Sequence, residues 1–140
     1  YQIVHLCGKG NMDRSLEGVK GYKQFEYINQ ELPDVLAASD FIISRAGANS
    51  IFEFLALRKP MLLIPLSRNA SRGDQILNAQ SFEKKGFAKV LFEEDLTTET
   101  LVTQLEALKN DKDQLQRNMS EDSAPNTLEI ILKEIINTAK

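Results

Sequence analysis

The feature that most constrains this chain is an alternation. Apolar runs of four to six residues are each followed by a longer stretch in which apolar residues recur with helical period. Two of the runs, FIIS (41–44) and MLLIP (61–65), are apolar at consecutive positions, so as strands they would present hydrophobic side chains to both faces of a sheet. Strands of that kind belong to parallel sheets covered on both sides by helices. The pattern predicts strands over 2–7, 23–27, 40–44, 61–65 and 89–92. It predicts helices over 33–38, 50–57, 74–85, 98–110, 112–119 and 126–138, with a short helical segment within 12–19. Punctuation agrees: Arg58-Lys59-Pro60 stops one helix before the next strand, and Gly86 follows a helix ending in Lys84-Lys85. Thr97 and Asn126 stand where helix caps are expected. The last helix carries Leu128, Ile131, Leu132, Ile135 and Ile136 on one stripe, expected to pack against its own domain. Strand, loop and helix in repetition indicate an α/β, Rossmann-like doubly wound parallel sheet, in which ligands sit at the C-terminal ends of strands.

Composition removes several classes of function. At 140 residues, 42% hydrophobic and 26% charged, the chain has globular usage and a length suited to one domain, which buries roughly two-thirds of its unfolded surface. A net charge of −3 with both signs interspersed gives no basic field for a nucleic acid. The single cysteine, Cys7, excludes an internal disulfide, and with His5 it makes too few soft ligands for a structural zinc. No apolar run approaches the ~20 residues of a membrane-spanning helix, and the first residues lack the layout of a secretory signal, so a cytoplasmic location is expected. The chain opens on Tyr1 inside an apolar run, as a fragment of something longer would.

Three strand-to-helix junctions could carry chemistry. The first, Leu6-Cys7-Gly8-Lys9-Gly10-Asn11, is a glycine loop with a cation, but it lacks the ending of a P-loop and the spacing of a dinucleotide fingerprint. A tight turn is the simpler reading. The second runs from Ser44 and Arg45 through Ala46, Gly47, Ala48, Asn49 and Ser50 to Glu53. Its small residues would expose the N–H groups of a helix start to a phosphate, and Glu53 could accept bonds from the vicinal hydroxyls of a ribose. The same residues form a formal capping box, Ser50 with Glu53, and both readings stand on the residues alone. The third, from Ser67 to Asn78, brings Asp74, Gln75 and Asn78 to one helix face, a mixed donor and acceptor set suited to sugar hydroxyls. A helix capped by Asp74 with solvated neighbours is the alternative there. His5 has no triad partners and reads as structural, Cys7 as a small core residue, and Glu93-Glu94-Asp95 as a solvated turn.

With these junctions in view, the sequence resembles the C-terminal domain of the MurG family, UDP-N-acetylglucosamine transferases that complete lipid II, the peptidoglycan precursor. The resemblance rests on HLCGKG, FEYI, LAASDFIISRAGANSIFE, KPMLLIPL and GDQILNAQSFEKKGFA, in the family's order and covering most of residues 1–95. It implies the C-terminal half of a two-domain GT-B glycosyltransferase, an inverting reaction and no obligatory metal or other cofactor. It implies that Ile28 bonds the uracil through its backbone, that Glu53 holds the ribose, and that the turn of Gly47, Ala48, Asn49 and Ser50 meets the diphosphate. Arg45 belongs to the same donor set, while Asp74, Gln75 and Asn78 would face the N-acetylglucosamine. The acceptor would be the C4 hydroxyl of the muramoyl sugar of lipid I, a polyprenyl diphosphate.

Two departures shape the expectation. The family's domain opens with a further strand and a Gly-Gly-Ser loop, and its N-terminal domain is the expected home of the catalytic base, the acceptor site and the contact with the cytoplasmic face of the membrane. None of these is supplied before Tyr1, so this chain is expected to bind donor without transferring it, to contain no assigned catalytic residue, and to leave a central sheet position open or filled by a neighbour. Two other functions fit the same residues: the donor-binding subunit of a split glycosyltransferase, and a fragment of a UDP-N-acetylglucosamine epimerase.

Overall fold

A computed structural model describes residues 1–68 and 73–121. It divides into two compact units, Tyr1–Ala38 and Ser39–Lys140. In the first unit, strands β1 (Ile3–Leu6) and β2 (Tyr22–Phe25) pair in parallel, Ile3 opposite Tyr22 and Leu6 opposite Phe25, and helix α1 (Leu32–Ala38) follows. The segment between the strands holds only a turn of 3-10 helix, Arg14–Leu16, within the helical stretch expected over 12–19. Asp13 caps it by accepting from the Ser15 amide, and Gly18 at φ 81° turns the chain away directly after it. The loop 7–11 is the tight turn that its glycines suggest. Asn11 donates through its amide to Gly8 O and through Nδ2 to Cys7 O, and the Gly10 N–H points at the Glu26 carboxylate. A carboxylate in that position disfavours an anion at the Gly10 N–H.

The second unit is built on three parallel strands in the order β3-β4-β5. These are β3 (Ile42–Ser44), β4 (Met61–Leu63) and β5 (Ala88–Val90), with Ile42 opposite Met61 and Met61 opposite Ala88. Parallel neighbours need a crossover, and helices supply both: α2 (Ala48–Ala56) between β3 and β4, α3 (Asp74–Lys84) between β4 and β5. Helices α4 (Thr98–Asn110) and α5 (Lys112–Glu121) follow. The helix expected over 126–138 lies outside the described residues.

The continuous apolar run of β4 sits where such a run belongs, in the middle of the sheet, with Met61, Leu62 and Leu63 fully buried. FIIS corrects its expectation: among the described residues β3 pairs with β4 alone, at the edge of this three-stranded sheet, and Ile43 is half exposed while Ile42 is buried. An edge strand has one neighbour fewer to shade its side chains. Phe82 packs edge-on against both Phe52 and Phe87 at centroid distances of 5.5 and 5.6 Å, fixing α2 and α3 to the start of β5. Each such side chain contributes about 1.5–3 kcal/mol on burial.

Helix ends follow local chemistry. Thr97 and Thr100 exchange side-chain and backbone bonds in a capping box at the start of α4. Helix α2 ends through Arg58, whose φ of 55° is left-handed, while Arg58 N and Lys59 N donate back to Leu55 O and Phe54 O.

Candidate functional site

The loops leaving β3 and β4 run side by side, because these strands are parallel neighbours and their C-terminal ends share one edge. Helix α2 starts two residues after Ala46 with Gly47 as its cap residue, at φ −66° and ψ 135°, and no side chain caps it. Its first internal bond is Ile51 N to Gly47 O at 3.1 Å, so the N–H groups of Ala48, Asn49 and Ser50 precede the helical ladder. Such an end carries a partial positive charge suited to an anion. The capping box read from Ser50 and Glu53 does not form: Ser50 lies inside the helix, and the box would have needed it at the cap. Glu53 is exposed, with no side-chain hydrogen bond or ion pair among the described residues.

Gly47 is distinctive for its backbone. The chain has seven glycines, and the other six have positive φ, between 77° and 87°. Gly47 has a φ open to any residue, and a Cβ there would meet nothing nearer than Gln75 Nε2 at 3.9 Å. Neither backbone strain nor packing demands glycine at this position.

At the second junction the amides serve the frame. Gln75 Oε1 accepts from Leu66 N at 2.9 Å and Ala46 N at 3.4 Å, and Asn78 Nδ2 donates to Ala46 O at 3.0 Å. Helix α3 therefore braces both strand-end loops through two side chains, and does so immediately beside Gly47. The atoms left over, Gln75 Nε2 and Asn78 Oδ1, are one donor group and one acceptor. Asp74 is exposed as the first residue of α3, where its charge complements the helix dipole. The cap itself is Gly73, at φ 87°, rather than Asp74.

Arg45 crosses the ends of all three strands. Its Nη1 donates to Ile64 O at 3.1 Å and lies 2.6 Å from Glu93 Oε1. Glu93, which reads in sequence as part of a solvated turn, is instead the ion-pair partner of Arg45. The signal that locates it is register: residues that follow neighbouring parallel strands share the same rim. Ile28 belongs to the other unit, where it is half-buried just after β2 and lines a shallow hollow with Phe25, Tyr27, Asn29 and Val35. Among the described residues no group of three or more His, Cys, Asp or Glu side chains gathers in a way that could hold a metal ion, and no helix is long and apolar enough to cross a membrane.

Residues 1–135 match the family described as glycosyltransferase family 28 C-terminal domain. The chain belongs to this family. Family 28 relatives include a protein of Geobacillus thermodenitrificans, 61% identical over 140 residues, and one of Clostridium botulinum, 55% identical over 140 residues. Both are named "UDP-N-acetylglucosamine--N-acetylmuramyl-(pentapeptide) pyrophosphoryl-undecaprenol N-acetylglucosamine transferase". Each match covers 100% of this chain and 39% of the relative, so the chain spans well under half the length of the relatives it matches. Among solved structures, spinosyn forosaminyltransferase SpnP superposes with a TM-score of 0.56 at 18% identity, over 84% of this chain and 31% of SpnP. That likeness carries the fold alone, and it agrees with the α/β, parallel-stranded architecture of the family 28 domain.

Proposed function

We propose that residues 1–140 form the UDP-N-acetylglucosamine-binding domain of an N-acetylglucosaminyltransferase. The full enzyme would transfer N-acetylglucosamine, with inversion, to the C4 hydroxyl of the muramoyl sugar of lipid I, forming lipid II. The observation that carries the reading is Gly47: a glycine that the fold does not require, at an uncapped helix start on the C-terminal edge of a parallel sheet. Glycine at such a place lets a diphosphate approach the backbone N–H groups of Ala48, Asn49 and Ser50. Glu53, a turn and a half into α2 and without a side-chain partner among the described residues, would accept from the ribose hydroxyls.

Asp74 and the spare atoms of Gln75 and Asn78 would meet the sugar, and Arg45 would meet the diphosphate. As the glycosidic bond breaks, negative charge grows on the departing UDP, and the α2 dipole with Arg45 would stabilise it electrostatically. The acceptor, the catalytic base and the contact with the cytoplasmic face of the membrane would belong to the N-terminal domain of the full enzyme. The relatives' names all describe transfer, which favours this reading over epimerisation.

Isothermal titration with UDP tests the site. The wild-type chain binds UDP, and Gly47→Ala weakens that binding roughly tenfold while costing less than about 1 kcal/mol of folding stability. A Gly47→Ala chain that binds UDP as well as the wild type would remove the main support for the reading.

A further inference from the structure

Arg45 is held by a single nitrogen. A guanidinium carries five N–H donors, and here Nη1 both donates to the Ile64 carbonyl at 3.1 Å and lies 2.6 Å from the Glu93 carboxylate in an ion pair. Nε and Nη2, with three N–H groups between them, make no other bond among the described residues. The anchor consists of one residue from beyond β4 and one from beyond β5, and Arg45 itself follows β3. The guanidinium is thus drawn along the rim of the sheet.

We propose that Glu93 is a positioning residue for the donor's diphosphate: it fixes Arg45 through Nη1 so that Nε and Nη2 remain to engage the phosphates at the start of α2. This rests on the donor-site reading above. A free arginine side chain carries substantial rotamer entropy, and one already held at the rim loses less of it when the anion arrives. The side chains of Arg45 and Glu93 are 50% and 31% exposed, so the pair is worth little to folding, and its consequence lies in where the remaining donors stand. The expectation runs against simple Coulomb repulsion, by which deleting a carboxylate near a diphosphate would strengthen binding.

The test compares UDP with uridine, which shares the base and ribose but has no phosphate, on wild type, Glu93→Ala, Glu93→Gln, Arg45→Ala and the double variant. Glu93→Ala should weaken UDP roughly two- to fivefold and leave uridine unchanged. Glu93→Gln, whose amide oxygen can still accept from Nη1, should recover most of the loss. The double variant should bind UDP no more weakly than Arg45→Ala alone. Unchanged or tighter UDP binding by Glu93→Ala overturns the proposal, and so does an equal loss for uridine, which would mark a general structural effect. NMR of the Arg45 guanidinium reads the anchor without any ligand: rotation restricted in the wild type and freed in Glu93→Ala. An anchored Arg45 in a chain that binds no UDP would refute the donor-site reading, whereas a freely rotating Arg45 in a chain that binds UDP would refute the anchor alone.

Discussion

Helices α2 and α3 enter the same sheet edge in opposite ways. Both begin on a glycine and neither has a side-chain cap, but Gly73 needs its left-handed φ of 87° while Gly47 sits at −66°. The polar side chains that follow divide likewise. Gln75 and Asn78 of α3 spend their bonds on the backbone of Ala46 and Leu66, whereas Glu53 of α2 has none among the described residues. One junction braces the backbone, and the other, on the proposed reading, is the binding surface beside it. Similar polar composition therefore carries two physical roles, and the division between them is testable.

The largest separation should come from Glu53→Ala and Gln75→Ala. Gln75→Ala strips the acceptor from two part-buried backbone N–H groups and should cost about 1–3 kcal/mol in urea unfolding. Glu53→Ala should leave stability within about 0.5 kcal/mol and weaken UDP by roughly ten- to a hundredfold in calorimetry. If Glu53→Ala destabilised the fold while Gln75→Ala did not, the assignment of brace and binding surface would be reversed.

Smaller effects sharpen the contrast between strained and unstrained backbone. Among the described residues Arg58 is the one non-glycine with positive φ, so Arg58→Gly should raise stability by about 1 kcal/mol, read as a higher urea midpoint at constant slope. The smallest effect concerns Asp13 in the first unit. Hydrogen bonds from the Ser15 side chain and then its backbone hold the Asp13 carboxyl below its ordinary range. A depressed carboxyl contributes stability that is present above its unfolded pKa and lost as pH falls through its folded value. In an NMR titration, Ser15→Ala should move the Asp13 midpoint back up toward the ordinary value.

Much of the fold is legible in sequence because its signals are local. The interval Thr98–Asn110 is read from periodicity and from the threonines at its start, and the structure has those same bounds. Strand ends are read less well: Ser44 and Met61 stand where expected, but the run expected over 89–92 pairs as Ala88–Val90, because the neighbouring strand sets the ladder. The glycine loop after β1 also follows its simpler reading. The candidate site is only half legible. The junction of Gly47 and Glu53 stands out by residue type, but the same letters spell a capping box, and only the position of Ser50 within α2 removes that alternative. Nothing in residue type distinguishes Gln75, which reaches 29 positions back to Ala46, from a solvated glutamine.

What the sequence by itself determined is the succession of strands and helices and the family, since periodicity, apolar runs and ordered motifs are written along the chain. FIIS and MLLIP read alike, and only pairing put β4 at the centre. What only the tertiary structure decided is which polar side chains are committed. Gln75, Asn78, Arg45 and Glu93 meet their partners across parallel strand ends, where register rather than sequence distance sets who is near whom. The φ of Gly47 likewise becomes informative only when set beside six glycines whose backbones require them.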